Sequence, residues 1–169
     1  MNKSIKKLCI ISMIAAIYTV VSLLLAPFSF GNIQVRIAEA LTMLPLIYFP
    51  SVYGVTLGCF LTNLVGVFTG ANILGVLDVF LGTFATVVDA LLTYHSRNVK
   101  IFNLPLLSML MPVILNGIIV GAELGYVLFE GNILLGSLIS GLEVAVGEMI
   151  SVVLGIFLVR ALGKTRIFE

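Results

Sequence analysis

Apolar residues run along this chain in long continuous blocks, broken only at short polar or turn-forming stretches. Four breaks stand out: "APFSFGN" at 26–32, "FTGANILG" at 68–75, "YHSRNVKIFNLP" at 94–105 and "FEGN" at 129–132. The blocks between them show no period-two alternation, so they predict helices rather than barrel strands. The block from Ile37 to Val67 is too long for one span of about 20 residues. Within it, "YFPSVYG" places Pro50 and Ser51 where one helix can end and the next begin. The pattern therefore predicts six helices, over 7–26, 36–49, 51–68, 74–95, 104–128 and 133–161. The second is short, about 20 Å at 1.5 Å per residue, so whether it spans fully is left open.

Composition fixes the solvent. The 169 residues are 60% hydrophobic and 10% charged, with a mean hydropathy of +1.22. A soluble domain has no interior large enough for this much apolar side chain, so most of it must face lipid. The expected class is an all-α integral membrane protein forming a single membrane domain over 1–169. The basic start resembles a signal peptide. Its apolar run, "KKLCIISMIAAIYTVVSLLLAP", is too long and lacks a small-x-small cleavage site, so it is expected to persist as a helix.

Charge supports the count of six. With six spans, Lys3, Lys6, Lys7, Arg97, Lys100, Arg160, Lys164 and Arg166 share one side and only Arg36 falls on the other. The excess of Lys and Arg on cytoplasmic loops then puts both termini in the cytoplasm. A net charge of +1 gives no electrostatic case for nucleic acid. Cys9 and Cys59, far apart in apolar helix, are expected to be buried thiols.

This topology gives each ionisable residue a depth. Glu39, Asp78, Glu123, Glu130 and Glu143 fall toward the outer side, together with Gln34, Arg36, Asn63 and Asn72, while Asn116 lies mid-depth. Asp89 and Glu148 lie deeper. Asn116 and Glu123 are seven apart and share a face. Asp78, Gly82, Ala85 and Asp89 form a second face, and Gly136, Ser140, Glu143, Gly147 and Ser151 a third. Ionisable groups in membrane helices usually face a cavity or a partner. Two readings follow: the groups are interhelical glue, with Arg36 and Glu39 a local i,i+3 pair, or they line a binding cavity near the outer face. Five acids against one arginine suit a ligand rich in hydrogen-bond donors, including a cationic one. Phe28, Phe30, Phe68, Tyr126 and Phe129 near the same end would stack on a flat ring or form an interfacial belt.

Other chemistry is poorly represented. "GKT" at 163–165 resembles the end of a phosphate-binding loop, but Leu158 stands where the first glycine is needed. No zinc spacing or Ser/His/Asp arrangement appears, and no cofactor or metal is expected. His95, the sole histidine, suits a helix C-terminus. No clear inverted repeat is visible, so uphill transport would draw its energy from a partner. On the first helix Ser12 and Ala16, and Ala15 and Thr19, are four apart, a spacing that lets another helix come close, inside the bundle or from a partner.

The stretches "IQVRIAEALTMLPLIYFPSVYGVTLGCFLTNLVG", "GVLDVFLGTFATVVDALLTY", "PVILNGIIVGAELGYVL" and "GLEVAVGEMISVVLG" resemble, in order and spacing, the queuosine-precursor transporter (QueT) family over about 8–162. The resemblance implies a substrate-binding S component of an energy-coupling factor (ECF) importer in the plasma membrane. It implies a six-helix S-component-like bundle with cytoplasmic termini and an outer site. The partners would be a transmembrane coupling subunit, two ABC ATPases and a 7-deazaguanine ligand such as 7-aminomethyl-7-deazaguanine or queuine. The coupling subunit would dock on the small-residue face of helix 1, where Ser12 stands in place of the usual alanine. The substrate-binding candidates are Glu39 first, then Glu143 and Glu123, with Gln34, Arg36, Asn63, Asp78 and Asn116. Alternatives are an S component for another flat vitamin or nucleobase, an autonomous proton-coupled carrier, and an intramembrane enzyme using Asp78, Asp89 and Glu148. The enzyme is disfavoured here because those acids are spread along the membrane normal.

Overall fold

Capping residues set where the helices start and stop. In a computed structural model that describes residues 2–30, 35–129, 131–165 and 167–168, Asn2 caps α1 (Lys3–Leu24) by accepting from the Ser4 N–H at 3.1 Å. Asn132 caps α6 (Ile133–Leu162) through the Leu135 N–H at 3.1 Å. Between them lie the single-turn α2 (Ala26–Ser29), a 3₁₀ helix (Ile37–Leu46), α3 (Ser51–Thr69), α4 (Val76–Ser96) and α5 (Leu106–Leu128). Pro50 precedes α3, and Gly70, with φ of 73°, closes it in the left-handed conformation. Five helices are long and apolar enough to cross a membrane.

Two expectations change. The first helix begins at Lys3 rather than 7, and the second is a ten-residue 3₁₀ helix over Ile37–Leu46 instead of an α-helix over 36–49. Pro45 inside it has no N–H to donate. Runs of 3₁₀ this long are uncommon, so packing must hold it. Ser151 Oγ of α6 donates to the Arg36 carbonyl at 2.9 Å, and Thr42 Oγ1 donates to the Glu39 carbonyl at 2.7 Å. Gly155 of α6 brings its backbone against the Ala40 carbonyl and the Met43 side chain, where a Cβ would collide. The tighter winding rises about 2 Å per residue, so ten residues reach about 20 Å.

Glycines set the other close approaches. Gly54 and Gly58 of α3 meet Ile14 and Tyr18 of α1; a Cβ on Gly58 would lie 2.7 Å from the Tyr18 Cβ. Gly117, Gly121 and Gly125 of α5 lie against Ser137, Gly141 and Ala145 of α6, spaced as membrane helices need for backbone contact. The apolar core gathers Ile10, Ile14, Met43, Val55, Val113, Val152 and Ile156 from α1, the 3₁₀ helix, α3, α5 and α6. Lys3, Lys7, Tyr48 and Phe168 border one cavity, so both chain ends lie at the same end of the bundle. Cys59 is buried as expected, but Cys9 is exposed on α1.

Candidate functional site

The interior of the bundle is acidic. Glu39, Asp78, Asp89, Glu123 and Glu148 are each at most 4% exposed, and among the described residues Arg36 is the one buried cation. They come from the 3₁₀ helix, α4, α5 and α6; four of the acids fall into two groups, and Glu123 of α5 has no hydrogen-bond partner among the described residues.

The first group is built on the Arg36–Asp78 ion pair. Arg36 Nη2 donates to Asp78 Oδ2 at 3.0 Å. Its Nε donates to the Ser29 carbonyl at 3.2 Å, and the guanidinium lies 5.8 Å from the Phe30 ring centroid. Asn72 Nδ2 donates to the same Asp78 oxygen at 2.9 Å, and Asn63 Nδ2 to the Asp78 backbone carbonyl at 2.8 Å. The α3–α4 loop aims Asn72: its N–H donates to the Gly66 carbonyl at 3.0 Å and its Oδ1 accepts from the Leu74 N–H at 3.0 Å. Gly82, one turn beyond Asp78, leaves the space into which the Asp78 carboxylate and the Asn63 amide fold. The local Arg36–Glu39 pair that one of the two readings offered gives way to one between residues 42 apart in sequence.

The second group surrounds Glu39. Glu39 Oε1 accepts a hydrogen bond from the Tyr18 hydroxyl of α1. Asn116 Nδ2 lies 3.5 Å from Asp89 Oδ2, at the limit of a hydrogen bond. Asn116 also reaches the Glu148 side chain, and the charges of Asp89 and Glu148 act on each other and on Glu39. Asp89 and Glu148 are therefore not strays along the membrane normal but neighbours of Glu39. Asp78, the third acid of the enzyme alternative, stays apart from them in the first group, paired with Arg36. Among the described residues, no three His, Cys, Asp or Glu are placed to hold a metal ion.

The acceptors outnumber the donors. Glu39 Oε2, Asp78 Oδ1, Asp89 Oδ1, Glu148 Oε1 and both carboxylate oxygens of Glu123 are buried without a hydrogen-bond partner among the described residues. Leaving such groups unpaired in low dielectric is expensive, so this interior suits a species that brings donors.

The remaining candidates lie elsewhere. Glu143 is half-buried on α6 and borders a separate cavity of about 290 Å³ with Phe129, Ser140 and Leu128. The buried stripe of α6 runs through Ser140, Val144, Glu148, Ser151 and Gly155, which puts Glu148 inside and Glu143 at its margin. Gln34 and Glu130 lie outside the described residues. Phe30 is buried against Arg36, whereas Phe68 and Tyr126 are exposed. On α1, Ala15 is buried against α3, and Thr19 Oγ1 donates to the Gly58 carbonyl at 3.2 Å; Ser12 and Ala16 are exposed on another face. Asp89 and Glu148 were not among the binding candidates, and Tyr18 was missed altogether. Its signal was its phase: with Ile10 and Ile14 it continues the inward face of α1.

Among the described residues, five membrane-length helices surround a buried, donor-poor polar interior, the build of a multi-pass membrane protein. The family model described as QueT transporter matches residues 8–164, and the chain belongs to the QueT transporter family. No curated protein and no solved structure matches it.

Proposed function

We propose that the chain is the substrate-binding subunit of an ECF-type importer and that its ligand is a 7-deazaguanine, 7-aminomethyl-7-deazaguanine or a queuine-like relative. The observation that carries the reading is the excess of buried carboxylate oxygens over donors around Glu39. A guanine-like edge offers adjacent N1–H and 2-amino donors, which one carboxylate accepts as a pair. Glu39, held by Tyr18 through one oxygen, is the first choice for that edge. An aminomethyl group is cationic at neutral pH and suits a second acid, from Asp89, Glu148 or Glu123. Asn116 supplies both a donor and an acceptor between them. Arg36, Asp78 and Asn63 are occupied with one another and position the wall. Glu143 and Gln34 remain candidates for the outer approach.

The acids are closed off from solvent, so ligand reaches them only when surrounding elements part. Under this proposal the termini are cytoplasmic and the membrane is the plasma membrane, as the bias of Lys and Arg favours. The transmembrane coupling subunit, with its two ABC ATPases, docks on the α1 face carrying Ser12 and Ala16. Ala15 and Thr19 hold α1 to α3 beneath it.

Equilibrium dialysis of the purified protein against 7-aminomethyl-7-deazaguanine tests the reading. Submicromolar binding is expected, with Glu39→Gln weakening it by about tenfold to a hundredfold, the worth of a hydrogen bond to a charged group. Unchanged affinity in that variant removes Glu39 from the site. Competition by 7-cyano-7-deazaguanine, guanine, thiamine and riboflavin separates a deazaguanine carrier from one for another flat ring. The cyano compound, lacking the ammonium, isolates the second acid.

A further inference from the structure

The end of the bundle that carries both termini holds a second polar concavity, of opposite sign to the first. A space of about 320 Å³ opens between the α4–α5 connection, the end of the 3₁₀ helix and the last turns of α6. Arg97, Lys100 and Arg160 line it with Asn98 and Asn103, over an apolar floor that includes Ile156. Among the described residues no carboxylate borders it, and none of the three cations has an ion-pair partner. Arg97 is held in place: its Nη1 donates to the Tyr94 carbonyl at 2.7 Å, and its guanidinium lies 3.7 Å from the Tyr94 ring centroid. That leaves further N–H groups of its planar fork for an oxyanion.

The connection is built to present these groups. Ile101 and Leu104 exchange backbone hydrogen bonds of 2.9 and 3.0 Å around Phe102 and Asn103, both with positive φ (53° and 60°). Asparagine tolerates this conformation and phenylalanine rarely adopts it. The turn sets Asn103 at the concavity and leaves Phe102 91% exposed beside it. An exposed aromatic next to a basic cluster at a helix end belongs to the headgroup layer of a bilayer. Below Arg160 on the same face of α6 lie Phe157 and Val153, both exposed, so an apolar track leads from the cations toward the bilayer centre.

From this geometry we infer that the concavity bounded by Arg97, Lys100 and Arg160 binds the phosphate headgroup of an anionic phospholipid, whose acyl chain follows Phe157 and Val153. Charge names the phosphate, and the track names a lipid over a free anion.

The test is native mass spectrometry of the full chain released from detergent after mixing with phosphatidylglycerol or phosphatidylcholine. Preferential retention of phosphatidylglycerol is expected, falling about fivefold for each cation removed in Arg97→Gln, Lys100→Gln and Arg160→Gln. Arg160→Gln alone, an exposed change at a helix end, should show the first step without touching the fold. Lys3→Gln with Lys7→Gln, at the neighbouring basic cluster, should leave retention unchanged. Equal retention of both lipids, equal loss in the Lys3/Lys7 variant, or full displacement by millimolar orthophosphate would each overturn the assignment.

Discussion

Arg36 with Asp78, and Glu39 with Asp89 and Glu148, are equally buried in the same bundle, yet they differ in how their charges are met. Around Asp78 one carboxylate oxygen receives two donors, Arg36 and Asn72, and the backbone carbonyl receives a third from Asn63, so that Oδ1 alone lacks a partner among the described residues. Around Glu39 three carboxylates share the Tyr18 hydroxyl and the Asn116 amide. Burial alone therefore does not separate structure from site. The balance of donors and acceptors does: a group met by its own protein holds helices together, and one left short by it is suited to a ligand.

The largest expected effect strikes the balanced group. Asp78→Ala leaves Arg36 buried without a counter-ion and should cost about 3–5 kcal/mol of stability, read as a lowered unfolding midpoint in detergent. Arg36→Met with Asp78→Leu, which removes both charges, should recover much of that loss. A smaller cost is expected where the second group does have a donor: Tyr18→Phe removes the hydroxyl that meets Glu39 and should destabilise by about 1.5–3 kcal/mol, measured the same way. The smallest stability change belongs to the donor-poor group. Glu148→Gln keeps the side chain's shape and relieves a crowd of acids, so it should lower the unfolding midpoint less than Tyr18→Phe does, while reducing ligand affinity. If Glu148→Gln unfolds the protein as Asp78→Ala does, the contrast is lost and both groups are structural.

Much of this was legible in the chain. Blocks of apolar residues, with proline and glycine at their edges, gave the all-helical class and placed α3 to α6 within two residues, but α2 fell in a stretch read as a break. Those features are local: a helix in lipid must satisfy its own backbone, so its length and ends are written in consecutive residues. The acidic interior was legible too, because charged residues in apolar helices are conspicuous against their neighbours. Which acids face inward was not. Glu143 and Glu148 are both on α6, but only the packing of α6 against the 3₁₀ helix, through Ser151 and Gly155, turns Glu148 toward Glu39.

Pairing was equally hidden. Arg36 had Glu39 three residues away and takes Asp78 instead, because the 3₁₀ winding and the α3–α4 loop bring α4 and Asn72 to it. Sequence by itself determined that this protein lives in a bilayer, that it is helical and that it hides acid. Tertiary structure alone decided which acid is neutralised by arginine and which are left short of donors, since side-chain partners in a bundle come from helices far apart in the chain.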